Sequence, residues 1–285
     1  MRLTSTPAPI PSLAVPRIVF LSALAALCAA CPFHPSLFRP PGNTTRDSLN
    51  LKYGVSGPTG RVLDKGYYVI NYNDLWRIPH WSAYRLTPRD LLGTSKRQDN
   101  FRPDPEVPKK AQSTLEDYKG SGLDRGHLAP AGNFTRSNEA MAATFLLSNI
   151  SPQHPSTNRG IWRQIESQIR HLVQAADTTW VVTGDAFMNE DSLPVDPKTW
   201  IKRGNQNRVA VPTHLFNAIL TLDAKGHWRA YAFLVPNLPT RNPNPTSKYQ
   251  LSVDNLERTT GFDFFVDLDT AVQNRIESTA PTLQP

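Results

Sequence analysis

Apolar and polar residues follow two different rhythms along this chain. Residues 66–71 (GYYVIN) and 81–86 (WSAYRL) are short runs rich in aromatic and β-branched side chains, which is how strands read. Residues 179–183 (TWVVT), 216–222 (FNAILTL) and 228–235 (WRAYAFLV) read the same way. Residues 158–176 instead keep a helical period: Ile161, Trp162, Ile165, Ile169, Leu172, Val173 and Ala176 fall on one face. Residues 137–147 predict a second helix, with Ser137 as its N-cap and Glu139 in its first turn. Residues 87–122 are charged and proline-punctuated, a long excursion, and residues 249–256 lead into a last short element. Strands and helices mix without regular βαβ alternation. The expected class is therefore α+β, with a central, mainly antiparallel sheet flanked by helices.

The N-terminus breaks the globular pattern. Residues 18–31 (IVFLSALAALCAAC) are apolar, uncharged and preceded by Arg17. A run of about 14 residues is short for a bilayer-spanning helix and has the length of a signal-peptide core. Ala29 and Ala30 before Cys31 resemble a bacterial lipoprotein cleavage box, so Cys31 is a candidate lipidation site and membrane anchor. Plain cleavage near Ala30 is the alternative. The stretch before Asp47 holds no acidic residue, as in organellar transit peptides. Against that, Pro7, Pro9, Pro11 and Pro16 oppose the amphipathic helix such peptides form. The expected organisation is a signal peptide over 1–31, a proline-rich linker over 32–50, one domain over 51–276 and a loose tail over 277–285. The expected location is exported: secreted, periplasmic or lipid-anchored at the cell envelope, with a mitochondrial location as the alternative.

Composition narrows the chemistry. The 285 residues are 39% hydrophobic and 19% charged, which suits a soluble chain with a real core. Both cysteines, Cys28 and Cys31, lie in the leader, so a disulfide framework and a four-cysteine zinc site are excluded. A net charge of +7 suggests an acidic partner, although two of the positive charges, Arg2 and Arg17, belong to the leader.

The chemistry concentrates in two blocks. Residues 123–134 (LDRGHLAPAGNF) set a charged turn with His127 beside a small apolar string, a segment that can hold an imidazole next to buried structure; the alternative is a loop in which Asp124 and Arg125 pair and His127 lies at the surface. About 30 residues on, residues 147–153 (LSNISPQ) precede the long helix. On a helical wheel Asn158 lies in line with the apolar stripe, so its amide needs a partner: backbone, water or metal. Simple N-capping by Asn158 is equally open. Glu166 and Arg170 are four apart, either an ordinary ion pair or part of an edge ladder with Asn158 and Trp162.

Taken together these residues resemble the DNA/RNA non-specific endonucleases, the ββα-metal nucleases that include endonuclease G and secreted bacterial nucleases. Asp124-Arg125-Gly126-His127 matches the family signature. Residues 147–153, Asn158, Trp162 and Glu166 match its second block, and Arg97 its upstream arginine. The likeness runs over about residues 51–268. It implies a ββα-metal site and an endonuclease that hydrolyses DNA and RNA phosphodiester bonds with little sequence preference. It implies that His127 is the general base and that Asn158 holds one divalent ion, Mg²⁺ with Mn²⁺ as a substitute. Glu166 would hold waters around the ion, and Arg97 would contact phosphate. Arg125 and Arg170 would contact nucleic acid, Arg125 having structural pairing with Asp124 as its alternative. Asn149 would touch phosphate or orient its loop, and Asp124 would position its neighbours. A homodimer stays open.

Outside the two blocks, His154 is read as a groove residue, and His171 follows Arg170 on the helix. His34, His80, His214 and His227 are read as structural, without carboxylate neighbours at ligand spacing. Lys198, Lys202, Arg203 and Arg208 around Trp200 form either a phosphate-tracking patch or a solvated loop. The competing functions are a nucleic-acid-binding surface protein on a decayed nuclease scaffold and a phosphodiesterase of a small substrate.

Overall fold

The computed structural model describes residues 48–239 and 244–281; the leader, both cysteines and most of the linker lie outside the described residues. No helix among them is long and apolar enough to cross a membrane. The strands are β1 (Val55–Ser56), β2 (Arg61–Asp64), β3 (Val69–Asn73), β4 (Ile78–Leu86), β5 (Asp124–His127), β6 (Ile150–Gln153), β7 (Thr178–Ala186), β8 (Trp200–Arg203), β9 (Gln206–Ala210), β10 (His214–Leu222), β11 (Trp228–Pro236), β12 (Gln250–Leu251) and β13 (Asp263–Phe264). The α-helices are α1 (Leu115–Tyr118), α2 (Asn138–Ala143), α3 (Arg163–Ala175), α4 (Val253–Thr260) and α5 (Thr270–Ile276).

Seven strands form one antiparallel sheet in the order β12-β11-β10-β7-β4-β3-β2. Its central strands are nearly continuous apolar runs because both faces are covered. Val181, Leu215, Ile219, Tyr231 and Phe233 point to one face, where Trp162 and, on the long helix α3, Ile165, Ile169 and Val173 pack. Their strand neighbours Trp180, Val182, Phe216, Ala218, Leu220 and Ala232 point to the other. There α4 and α5 supply Val253, Leu256 and Ile276. This period of two is what the sequence pattern predicts for strands, and the α+β class with a helix-flanked antiparallel sheet is what the chain adopts.

Of the two readings of residues 123–134, the surface loop does not hold. The first part of the segment is β5, which pairs antiparallel with β6, setting Asp124 opposite Gln153 and His127 opposite Ile150. Gly126 is required here by close approach: a Cβ on it would fall 2.0 Å from the buried side chain of Gln153. Three polar staples fix this pair to the main sheet. Ser82 of β4 donates to the Asn149 side chain at 2.9 Å. Ser151 donates to Asp185 of β7 at 2.8 Å, and the Asn237 amide donates to the Pro152 carbonyl at 3.0 Å. The 87–122 excursion is also held, by Lys65–Asp104 at 2.7 Å and Arg208–Asp117 at 2.8 Å. Asp104 is itself bonded to Ser148 at 2.5 Å.

Two sequence expectations change. The basic stretch near Trp200 is a hairpin, β8–β9, rather than a loop. The tail expected to be loose from residue 277 starts as structure: Glu277 is buried, and its carbonyl accepts from the Asp254 amide at 3.1 Å. Burial, then the neighbouring carboxylates, push Glu277 up to about 8. Glu257 is pushed up to about 7 by burial, against a backbone hydrogen bond from Phe264 and with nearby acids adding to the rise.

Asn149 generates the first prediction. It is fully buried, accepts from Ser82 and the Ala129 amide, and donates to the Ala129 and Thr144 carbonyls. Asn149→Ala leaves several buried groups unsatisfied, so urea unfolding should show a loss of about 3 kcal/mol or more. A loss under about 1 kcal/mol would contradict this role.

Candidate active site

His127 ends β5 and is 8% exposed, at the foot of a corner built by two rings. Phe145 meets its imidazole edge-on at 4.9 Å between centroids, and Phe101 lies at 5.3 Å. An arginine covers each ring: Arg97 lies 5.1 Å from the Phe145 centroid and Arg125 4.4 Å from that of Phe101. Burial, with Arg97 and Arg125 adding to it, lowers the His127 pKa to about 3. The imidazole is therefore neutral across physiological pH and able to accept a proton. Its Nε2 is buried without a hydrogen-bond partner among the described residues.

The other end of β5 holds the amide. Asp124 accepts from Asn158 Nδ2 at 2.8 Å and from Arg159 at 2.6 and 2.8 Å. Burial would raise the Asp124 pKa, but these bonds and the charges of Arg159 and Arg125 hold it below the usual carboxylate range. Asn158 does not cap a straight helix as one sequence reading allowed. Residues Thr157–Trp162 form a widened turn, with Gly160 at φ −102° and ψ −108°, outside helical space. Only after it does α3 run regularly. Such widened turns recur at functional sites. With its nitrogen on Asp124, the amide oxygen of Asn158 makes no hydrogen bond among the described residues and remains a hard oxygen donor.

The expected edge ladder is only partly formed, because the kink breaks the wheel. Trp162 turns into the core, 1% exposed. Glu166 and Arg170 form no ion pair among the described residues; Arg170 reaches Asn133 at 3.4 Å instead. Even so, Glu166 lies in the field of Arg170, Arg97 and Arg163, while burial dominates and raises it to about 7. Arg97 thus acts electrostatically on both His127 and Glu166. It also lines an open polar depression of about 540 Å³ with Thr94, Ser95, Lys96, Gln98 and Asn138.

Three sequence expectations need correction. Asn149 has its side chain consumed by internal bonds and cannot reach a phosphate. Arg125 stacks on Phe101 and is not the partner of Asp124; Arg159 is. His227 has a carboxylate neighbour four residues back, Asp223, at 3.0 Å. In the basic hairpin Arg208 is engaged by Asp117, whereas Lys198, Lys202 and Arg203 are exposed. Sequence reasoning missed Phe101, Phe145 and Arg159, since no spacing marks residues that meet only through tertiary folding.

Comparison with known proteins decides the affiliation. The family model described as DNA/RNA non-specific endonuclease matches residues 46–271. The chain belongs to the DNA/RNA non-specific endonuclease family. A nuclease of Nostoc sp. is 32% identical over 90% of this chain and 96% of its own length. Human mitochondrial endonuclease G is 34% identical over 75% of this chain and 71% of its own. A solved structure described as the EndoG/EndoGI complex, on the mechanism of EndoG inhibition, superposes with a TM-score of 0.71 at 29% identity. It covers 80% of this chain and 95% of that one. As a family endonuclease the chain is a hydrolase acting on nucleic acid, and the family is divalent-metal dependent.

The corner around His127 predicts its titration. In NMR of the free endonuclease, the His127 ring should stay neutral from pH 8 down to 5. Protonation with a midpoint near the ordinary value of about 6.5 would contradict the burial and the two arginines.

Proposed function

We propose that this endonuclease cleaves DNA and RNA with water as nucleophile, His127 as general base and a divalent ion, Mg²⁺ by donor chemistry, held by Asn158. The observation that carries this is the β5 strand itself. It fixes a neutral, partner-free imidazole at one end and, through Asp124, an oriented amide oxygen at the other. Three residues of strand set the Cα atoms of Asp124 and His127 about 10 Å apart.

The residues present fit such an ion. Asn158 offers a hard oxygen ligand, Glu166 on the following helix offers a carboxylate, and the described residues include no cysteine. When bound, the ion would offset charge on the phosphate and on the leaving 3′ oxygen. The chain's own groups do the rest. His127 takes the proton from water as its oxygen attacks phosphorus. Arg97 and Arg125, already beside the imidazole, place positive charge where the phosphate would sit. An incoming phosphate would offset the two cations that depress His127, so substrate binding itself would strengthen the base. Arg170 and the exposed Lys198, Lys202 and Arg203 add backbone attraction without base readout, in keeping with low sequence preference.

Export remains our reading of the compartment, supported by the apolar run over 18–31 and its small-residue end, with Cys31 as the candidate lipid site. Mitochondrial relatives such as human endonuclease G favour the alternative. The mass of the mature N-terminus separates the two.

The test is plasmid and RNA cleavage with Mg²⁺ or Mn²⁺. Cleavage should stop with EDTA, and His127→Ala should lose roughly 10²–10⁴-fold in rate. Asn158→Ala should lose metal-dependent turnover while keeping most DNA affinity. Full activity of His127→Ala, or equal loss of turnover and affinity in Asn158→Ala, would sink the assignment.

A further inference from the structure

On the sheet face opposite the long helix, α4 and the end of α5 bring three carboxylates together. Asp254 and Glu257 stand three residues apart on α4, so they share a side of the helix. Glu277 follows the last residue of α5. One carboxylate oxygen from each lies within 4.8 Å of those of the other two. Glu277 is only 6% exposed, and its Oε1 is buried with no hydrogen-bond partner among the described residues. A buried, incompletely partnered carboxyl group among other carboxylates is a costly arrangement that a cation would relieve. No lysine, arginine or histidine forms an ion pair with Asp254, Glu257 or Glu277 among the described residues. Asp263 adds a fourth negative charge in the field of Glu257 and Glu277.

We propose that Asp254, Glu257 and Glu277 bind a hard divalent cation of the Ca²⁺ class, separate from the metal of the catalytic site. Ca²⁺ takes oxygen ligands at 2.3–2.6 Å, so two ligands opposite each other across it stand roughly 4.8 Å apart. The three oxygens already lie inside that span, and waters complete the coordination. The arrangement is structural. Glu257 also accepts from the Phe264 amide at 2.9 Å, and the Glu277 carbonyl accepts from the Asp254 amide at 3.1 Å. The same residues therefore already join α4, β13 and the end of α5. A cation would lock that junction against the sheet, under Val253, Leu256 and Ile276. Its role is to hold the C-terminal helices, and it takes no part in phosphodiester cleavage.

The test uses the full chain carrying Asn158→Ala, so that the catalytic metal does not contribute. After chelation, Ca²⁺ alone is titrated by calorimetry and its effect on thermal unfolding is followed. The expected result is uptake of one Ca²⁺ and a Tm rise of about 5–10 °C at a concentration roughly a hundred times Kd. Adding Glu277→Gln should abolish the uptake and the rise while leaving the chain folded in chelator. Asp254→Asn, at a more accessible position, should weaken uptake without unfolding the chain, and serves if Glu277→Gln does not fold. No uptake by the parent at millimolar Ca²⁺ overturns the site and leaves the carboxylates sharing protons. Unchanged uptake in the carboxylate variants overturns it equally.

Discussion

One carboxylate governs the geometry of the site. Asp124 begins β5, and its two oxygens are taken by Asn158 and Arg159, the residues just before the kink at Gly160. Without that tie, the widened turn between β6 and α3 has no reason to present its amide toward the strand that carries His127. The tie also explains the kink: a regular helix through Gly160 would continue the apolar stripe and carry Asn158 in line with it. Strand, amide and helix become one unit because a charge-assisted bond joins them across 34 residues of chain.

The second governing effect is electrostatic. His127 is held neutral by burial and by two cations that lie over the rings flanking it. The same Arg97 reaches the field of Glu166, whose burial outweighs three arginines. Groups whose proton affinities are displaced in opposite directions, a histidine down and a glutamate up, share the field of Arg97. This is the pattern expected of a site that must hold a base and a charged substrate together. Stacking holds both guanidiniums beside the imidazole, and Arg97 is further tied to Asp99 at 2.7 Å.

Much of this was legible in the sequence, and the limits have physical causes. The five long β-type runs appear as strands because alternating faces of a doubly covered sheet leave a strong apolar signal. The long helix appears from Arg163 onward for the same reason. The β5–β6 pair was not legible: its residues are polar, and it is stapled by Asn149, Asp185 and Asn237, contacts between residues far apart in sequence. The kink was hidden in a single glycine. At the site, His127 and Asn158 were marked by their company, and the family likeness carried the rest. The phosphate reading of Asn149 and the Asp124 pairing offered for Arg125 do not hold, because residue type gives no information on burial or stacking. Phe101 and Phe145 look like any core aromatics until the fold places them around an imidazole.

The central claim is that Asp124 aims the Asn158 oxygen at a divalent ion. The most direct measurement is Mn²⁺ affinity by electron paramagnetic resonance for Asp124→Ala against its parent. Both carry Glu277→Gln, so that only the catalytic site is counted. The account predicts a folded variant whose affinity falls roughly 10–100-fold, the usual cost of losing an outer-shell partner. A folded Asp124→Ala protein that binds Mn²⁺ as tightly as its parent would contradict it.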